Sequence, residues 1–305
     1  MNGEKKSLKK RLKSYLTKQG VLNLPVVFQD IKQIGDLSHQ ETEIACRAAC
    51  LPVYLGKDVV LCRVLTKFIV FADAGDVGIT PHFCLQGYWE TWLTKLFAQM
   101  VQKDFFCVDI GANHGYFSLL MADIAGVAGR VLAVEPNPNL AELLAQNLEV
   151  NGFRSISTVC QKAVADTDGE KLKLVIPGGR DLNATIIASE QSPGDKVFEV
   201  ETATLDELTK DWARVDFVKI DAEGAEEAIW RGMSHTIEKN PQITVVMEFK
   251  QKCASNPKVF LESIVNAGFP LRYVDYDSQV KDLTIERTLA ERLDEDWMLF
   301  LRREQ

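Results

Sequence analysis

Residues 105–117 read Phe105-Phe106-Cys107-Val108-Asp109-Ile110-Gly111-Ala112-Asn113-His114-Gly115-Tyr116-Phe117: an apolar run closed by an acid, a turn bounded by glycines, and the first residues of a helix. The helix is expected over Tyr116 to Ala125, with Leu120, Met121 and Ile124 at helical spacing. A strand that feeds through a glycine turn into a helix is the opening unit of a parallel sheet covered on both faces. Glycines let the backbone of such a turn approach a ligand closely, and the helix start behind it offers unpaired amides.

The same alternation runs outward from this unit. Upstream, Thr91 to Val101 reads as a helix. Downstream come strand Val131 to Glu135, helix Leu140 to Asn151, and strands Ile156 to Gln161, Phe217 to Asp221 and Ile243 to Phe249. Asn137 is placed to cap the helix, Pro138 suits its first turn, and Asn151-Gly152 suits its close. Helix Pro257 to Ala267 precedes Leu271 to Tyr276 and Trp297 to Arg302, which are expected to form a terminal antiparallel hairpin. Between Asp166 and Thr204, the runs Lys171 to Ile176 and Val197 to Thr202 read as an inserted hairpin with a long loop. A helix at Gln40 to Cys50 and strands at Val59 to Val64 and Lys67 to Phe71 suggest an N-terminal helical and hairpin extension. The expected organisation is that extension over residues 1–80 and an α/β domain over residues 81–305.

The chain has 305 residues, 46% of them hydrophobic, enough for a substantial core. No apolar run is long enough to span a bilayer, and the Lys-rich start lacks the pattern of a signal peptide, so a cytoplasmic location is the default expectation. The seven cysteines are scattered and without a C-x-x-C pair, which predicts free thiols. Net charge is -8 although residues 1–20 carry seven Lys or Arg against one Glu. The acidic remainder disfavours a long polyanion as partner, so no nucleic acid is expected. Lys5 to Lys18, with Leu8, Leu12, Tyr15 and Leu16 at helical spacing, reads as a basic amphipathic helix that either packs on its own domain or meets a membrane or partner.

The turn chemistry separates two cofactor classes. A dinucleotide site carries G-x-G-x-x-G, whose middle glycine makes room for pyrophosphate. Asn113 stands at that middle position, and Asp109 at the strand tip would repel a diphosphate while suiting the ammonium of a methionine moiety. That selects S-adenosylmethionine over a nicotinamide cofactor. The next strand ends in Glu135, where an acid accepts hydrogen bonds from ribose hydroxyls. The string Val218-Lys219-Ile220-Asp221-Ala222-Glu223-Gly224-Ala225-Glu226 brings a third strand into acids and a glycine, and Glu248 closes the strand after it. Asp221, Glu223 and Glu248 are therefore the candidate catalytic carboxylates, with Glu223 the first candidate base for an acceptor hydroxyl. The same three acids are donors suited to Mg2+, which the residues leave open without predicting. Helix capping by Asp221 or Glu223 and a salt bridge at Glu248 form the structural alternative.

Taken together, Asp109 to Phe117, Glu135-Pro136-Asn137, Thr204-Leu205-Asp206 and Lys219 to Glu226 resemble the FkbM-type methyltransferase family over about residues 85 to 275. The resemblance implies a Rossmann-like class I methyltransferase fold with a mostly parallel seven-stranded sheet. It also implies S-adenosylmethionine as cofactor and O-methylation of a sugar, glycan or natural product. It extends the cofactor set to Glu90, from Gly87-Tyr88-Trp89-Glu90, beside Asp109, Gly111, Ala112, Asn113, Gly115, Phe117, Glu135, Pro136, Asn137, Asp221 and, for adenine, Ala163. His114 departs from the aliphatic residue usual in the family. An RNA-directed methyltransferase, a non-catalytic adenosine-binding module and an NAD-dependent dehydrogenase are the rival readings.

Overall fold

A computed structural model describes residues 27–176, 185–186, 194–293 and 295–304. The basic stretch Lys5 to Lys18 and most of the loop inside the inserted hairpin lie outside the described residues. The chain divides after Met100 into two compact units; the pattern of strands and helices in the sequence led to an expected boundary after residue 80.

The first unit holds helix α1 (His39–Ala49), a three-stranded meander of β1 (Val53–Gly56), β2 (Val59–Val64) and β3 (Phe68–Asp73), and helices α2 (Ile79–Leu85) and α3 (Thr91–Met100). Ser38 and Glu41 form a reciprocal capping box that starts α1. Lys57 and Asp58 both have positive φ, the backbone that a two-residue hairpin turn between right-twisted strands requires. Strand β1 was not evident in the sequence: its residues are largely exposed, so no buried alternation marks them.

The second unit is built on a sheet of eight strands in the order β14 (Val280–Asp282), β13 (Arg272–Val274), β15 (Trp297–Arg302), β12 (Thr244–Phe249), β11 (Phe217–Ile220), β4 (Phe106–Ile110), β5 (Arg130–Val134) and β6 (Ser157–Cys160). Its parallel core comprises β4 (Phe106–Ile110), β5 (Arg130–Val134), β6 (Ser157–Cys160), β11 (Phe217–Ile220) and β12 (Thr244–Phe249). Helix α4 (Tyr116–Ala125) links β4 to β5, and helix α5 (Pro138–Val150) links β5 to β6. The strand order runs outward in both directions from the β4/β11 pair, which is the Rossmann-like arrangement that opens a ligand crevice at the carboxyl ends of those strands. All four residues of β11 are buried, as in a parallel sheet covered on both faces. Ile229, Trp230, Phe260 and Phe269 contribute to the apolar cluster around β11 and β12.

One connection differs from the sequence expectation. Strand β13 (Arg272–Val274) does lie antiparallel beside β15 (Trp297–Arg302). The segment between them, however, contains β14 (Val280–Asp282), which pairs with β13, and the helix Ile285–Ala290 capped by Thr284. The expected simple hairpin is thus a strand pair plus a helical return, and β14 is an eighth strand added at the sheet edge. The inserted hairpin is present: β8 (Lys171–Ile176) runs antiparallel to β10 (Lys196–Ala203), and β7 (Ala163–Val164) pairs with β10 in a separate small sheet. All seven cysteines are free thiols.

Candidate active site

The parallel register sets the site. Lys219 pairs with Asp109 across β11 and β4, and Asp109 with Ala133 across β4 and β5. Two residues further along each strand, Gly111, Glu135 and Asp221 therefore emerge side by side at the carboxyl edge. The backbone stitches this edge together, since Gly111 and Ala112 amides donate to the Val134 carbonyl and the Asp221 amide donates to the Ile110 carbonyl.

Asp109 is 1% exposed. Its Oδ2 accepts from Ser118 Oγ at 2.6 Å, whereas Oδ1 has no hydrogen-bond partner and faces Lys219 Nζ at 3.9 Å. Burial raises the carboxyl above its ordinary range, and the Lys219 charge opposes that shift. A buried acceptor left open in this way is suited to an incoming ammonium.

The two glycines of the turn are required by the protein's own packing. A Cβ on Gly111 would lie 1.7 Å from the Asp221 carbonyl oxygen, so the glycine is needed for two strand ends to meet. Gly115, at φ 87°, begins α4 in the left-handed region beside Leu144. Asn113 also has positive φ, and its amide donates to Glu135 Oε2 at 2.9 Å. The other Glu135 oxygen accepts from the Asn137 amide at 3.0 Å. Glu135 is thereby held as a buried clamp over both turns. Asn137 is fully buried and caps α5, as its sequence position predicted. His114 is buried, with its ring on the Asn113 side-chain oxygen and its carbonyl accepting from Asn147.

Lys219 is the residue that motif reasoning left without a role. It is 2% exposed, donates to Asp221 Oδ2 at 3.0 Å, and lies over the Phe117 ring at 5.3 Å from its centre. The available signal was a lysine inside the run Phe217-Val218-Lys219-Ile220, since a charge in a doubly covered strand needs partners.

Beyond Asp221, the acids are organised by Lys250. Its Nζ lies 2.8 Å from Glu223 Oε2, 3.1 Å from Glu248 Oε2 and 3.5 Å from Asp296 Oδ2. Burial alone would lower the Lys250 pKa, but Glu223 and Glu248 drive it upward. Glu248 is pushed up to about 9, first by burial and then by the charge of Asp221. The expected capping of the following turn falls to Glu226, whose Oε1 accepts from the amides of Ala222 and Gly224, both at 3.1 Å. Glu223 itself adopts positive φ. An ammonium already sits among the acids, and no cluster with metal-holding geometry occurs among the described residues. This donor set does not fit Mg2+.

The remaining candidates fall in different surroundings. Ala163 is buried in a small cluster with Leu174 and Val200. Pro136 is half-buried. Glu90 belongs to the first unit, where it directly precedes α3 and its carbonyl accepts from the Thr94 amide.

A model of the FkbM methyltransferase domain matches residues 109–271. Over 52 residues, the chain is 46% identical to a protein-L-isoaspartate O-methyltransferase of Aeropyrum pernix, covering 17% of this chain and 20% of that protein. Over 52 residues it is also 38% identical to a protein-L-isoaspartate O-methyltransferase of Methanococcoides burtonii, covering 17% and 26%. The chain thus spans only about a fifth to a quarter of the length of these curated relatives. Among solved structures it is similar to an O-methyltransferase from Bacillus cereus in complex with SAH, at 13% identity and a TM-score of 0.40 over 75% of this chain and 84% of that one.

Proposed function

The chain belongs to the FkbM methyltransferase domain family, and on that premise we propose that it transfers the methyl group of S-adenosylmethionine to a hydroxyl oxygen of a sugar, glycan or natural-product small molecule. The observation that carries the reading is the side-by-side emergence of Glu135, Gly111 and Asp221 at adjacent parallel strand ends, with the open oxygen of Asp109 buried beneath them.

S-adenosylmethionine supplies a methyl group already activated as a sulfonium, so alignment with the acceptor contributes much of the rate. In this reading, Asp109 Oδ1 accepts from the methionine ammonium, and the Gly111-to-Gly115 turn lines the same end. Glu135, pinned by the Asn113 and Asn137 amides at the end of β5, is assigned to the ribose. The backbone near Ala163 borders the adenine. Asp221 and Glu223 face the acceptor, with Glu223 accepting the hydroxyl proton while Lys250 orients its carboxylate. Glu248, whose carboxyl is raised by burial and which shares Lys250 with Glu223, is not assigned the role of base in this scheme.

Calorimetry with S-adenosylhomocysteine against NAD tests the cofactor. Transfer of labelled methyl into fractionated small-molecule, glycan and RNA extracts tests the acceptor. Label in the small-molecule or glycan fraction is the expected outcome; label in RNA alone would overturn the acceptor class.

A further inference from the structure

We infer that Lys219 is a positioning residue that serves two carboxylates at once, bracing Asp221 at the acceptor side and facing the open oxygen of Asp109 at the cofactor side. The inference deepens the proposed methyl transfer and rests on it.

The geometry is specific. Lys219 Nζ is within hydrogen-bond reach of Asp221 Oδ2 at 3.0 Å, but stands 3.9 Å from Asp109 Oδ1, too far to saturate that oxygen. The Phe117 ring lies against the ammonium at 5.3 Å and limits its access to water. A lysine confined in this way supports Asp109 through charge while leaving its lone pairs for a ligand. A direct hydrogen bond would have occupied them. The arrangement also explains how a buried acid can serve as an acceptor, because an isolated carboxylate in such a place takes up a proton instead.

Lys219 and Asp221 approach from β11 and Ser118 from α4, while Cys107 lies on its own strand and Ala133 opposite on β5. Lys219 is the cation of this set, and Asp221 raises the Asp109 pKa, so removing Lys219 leaves both burial and a neighbouring acid acting upward.

The test measures S-adenosylhomocysteine binding to the full chain by calorimetry from about pH 6 to about pH 9. Lys219→Met is expected to weaken binding roughly tenfold or more near neutral pH and to recover affinity as pH rises and Asp109 ionises. The wild-type chain should show a much flatter profile. Asp109→Asn should bind weakly at every pH, and adding Lys219→Met to it should introduce no further pH dependence. Lys219→Gln carries the same test should the Met variant not fold. A Lys219→Met or Lys219→Gln profile parallel to wild type would overturn the inference while leaving the cofactor reading intact. Failure of the wild-type chain to bind S-adenosylhomocysteine would overturn both.

Discussion

Gly111 and the Asp221 carbonyl meet so closely that a side-chain Cβ on the glycine would lie 1.7 Å from the Asp221 oxygen. The contact is backbone against strand end, so no rotamer change relieves it, and Gly111 also has φ 73°. Gly111→Ala is therefore expected to cost about 3 kcal/mol or more and to abolish cofactor binding. Denaturant melts combined with S-adenosylhomocysteine calorimetry check this, and a variant of near wild-type stability would contradict the geometry.

Glu135 accepts a backbone amide on each oxygen. Glu135→Gln turns one acceptor into a donor facing an N–H, leaving a buried amide unsatisfied at about 1–3 kcal/mol. Melting temperature should fall, and affinity for adenosine as well as for S-adenosylhomocysteine should fall with it.

Glu226 provides both capping contacts through a single oxygen. The glutamine amide keeps that oxygen, so Glu226→Gln should be tolerated while Glu226→Ala loses about 1–2 kcal/mol. Comparing the two melts separates a capping role from a requirement for charge.

Glu248 links stability to pH. Its ordinary value of 4.5 rises to about 9 in the fold, with Asp221, Asp296 and Glu223 adding to burial and Lys250 opposing them. Between these values, the folded chain holds a proton that the unfolded chain releases, so this contribution is full below 4.5 and is lost as pH rises through about 9. Glu248→Gln should flatten the alkaline fall in melting temperature, at roughly 2–4 °C per kcal/mol of linkage removed. An unchanged pH slope would show that Glu248 is not the group responsible.

Glu223→Gln should reduce turnover by about two orders of magnitude with S-adenosylhomocysteine affinity unchanged, if Glu223 accepts the acceptor proton. Steady-state turnover and calorimetry on the same preparation decide it, and wild-type turnover would remove Glu223 from the scheme.

How much of this was legible in the sequence depended on where each residue's partners lie. Helix Tyr116–Ala125 matched its expected limits because glycines stand at both of its ends, and Asn137 capped α5 as read. Strand Trp297–Arg302 also matched, its run being buried and continuous. The helix Ile285–Ala290 escaped notice because six residues give too short a period to register. The carboxylates were found as strand-end acids, but their pairings were not. Lys250 unites Glu223, Glu248 and Asp296 from separate parts of the chain, and Lys219 meets Asp109 across a strand pair. Local spacing contains neither relationship.

Strand β15 lies between β12 and β13, although it follows both in the chain. During synthesis, the sheet must therefore wait for Trp297 to Arg302 with two unmatched edges, β12 on one side and the β13–β14 pair on the other. Those edges expose main-chain donors and acceptors that can join to another nascent chain as readily as to the missing strand. A chain stopped just short of Trp297 would carry every carboxylate of the site and still be the most aggregation-prone form of the protein.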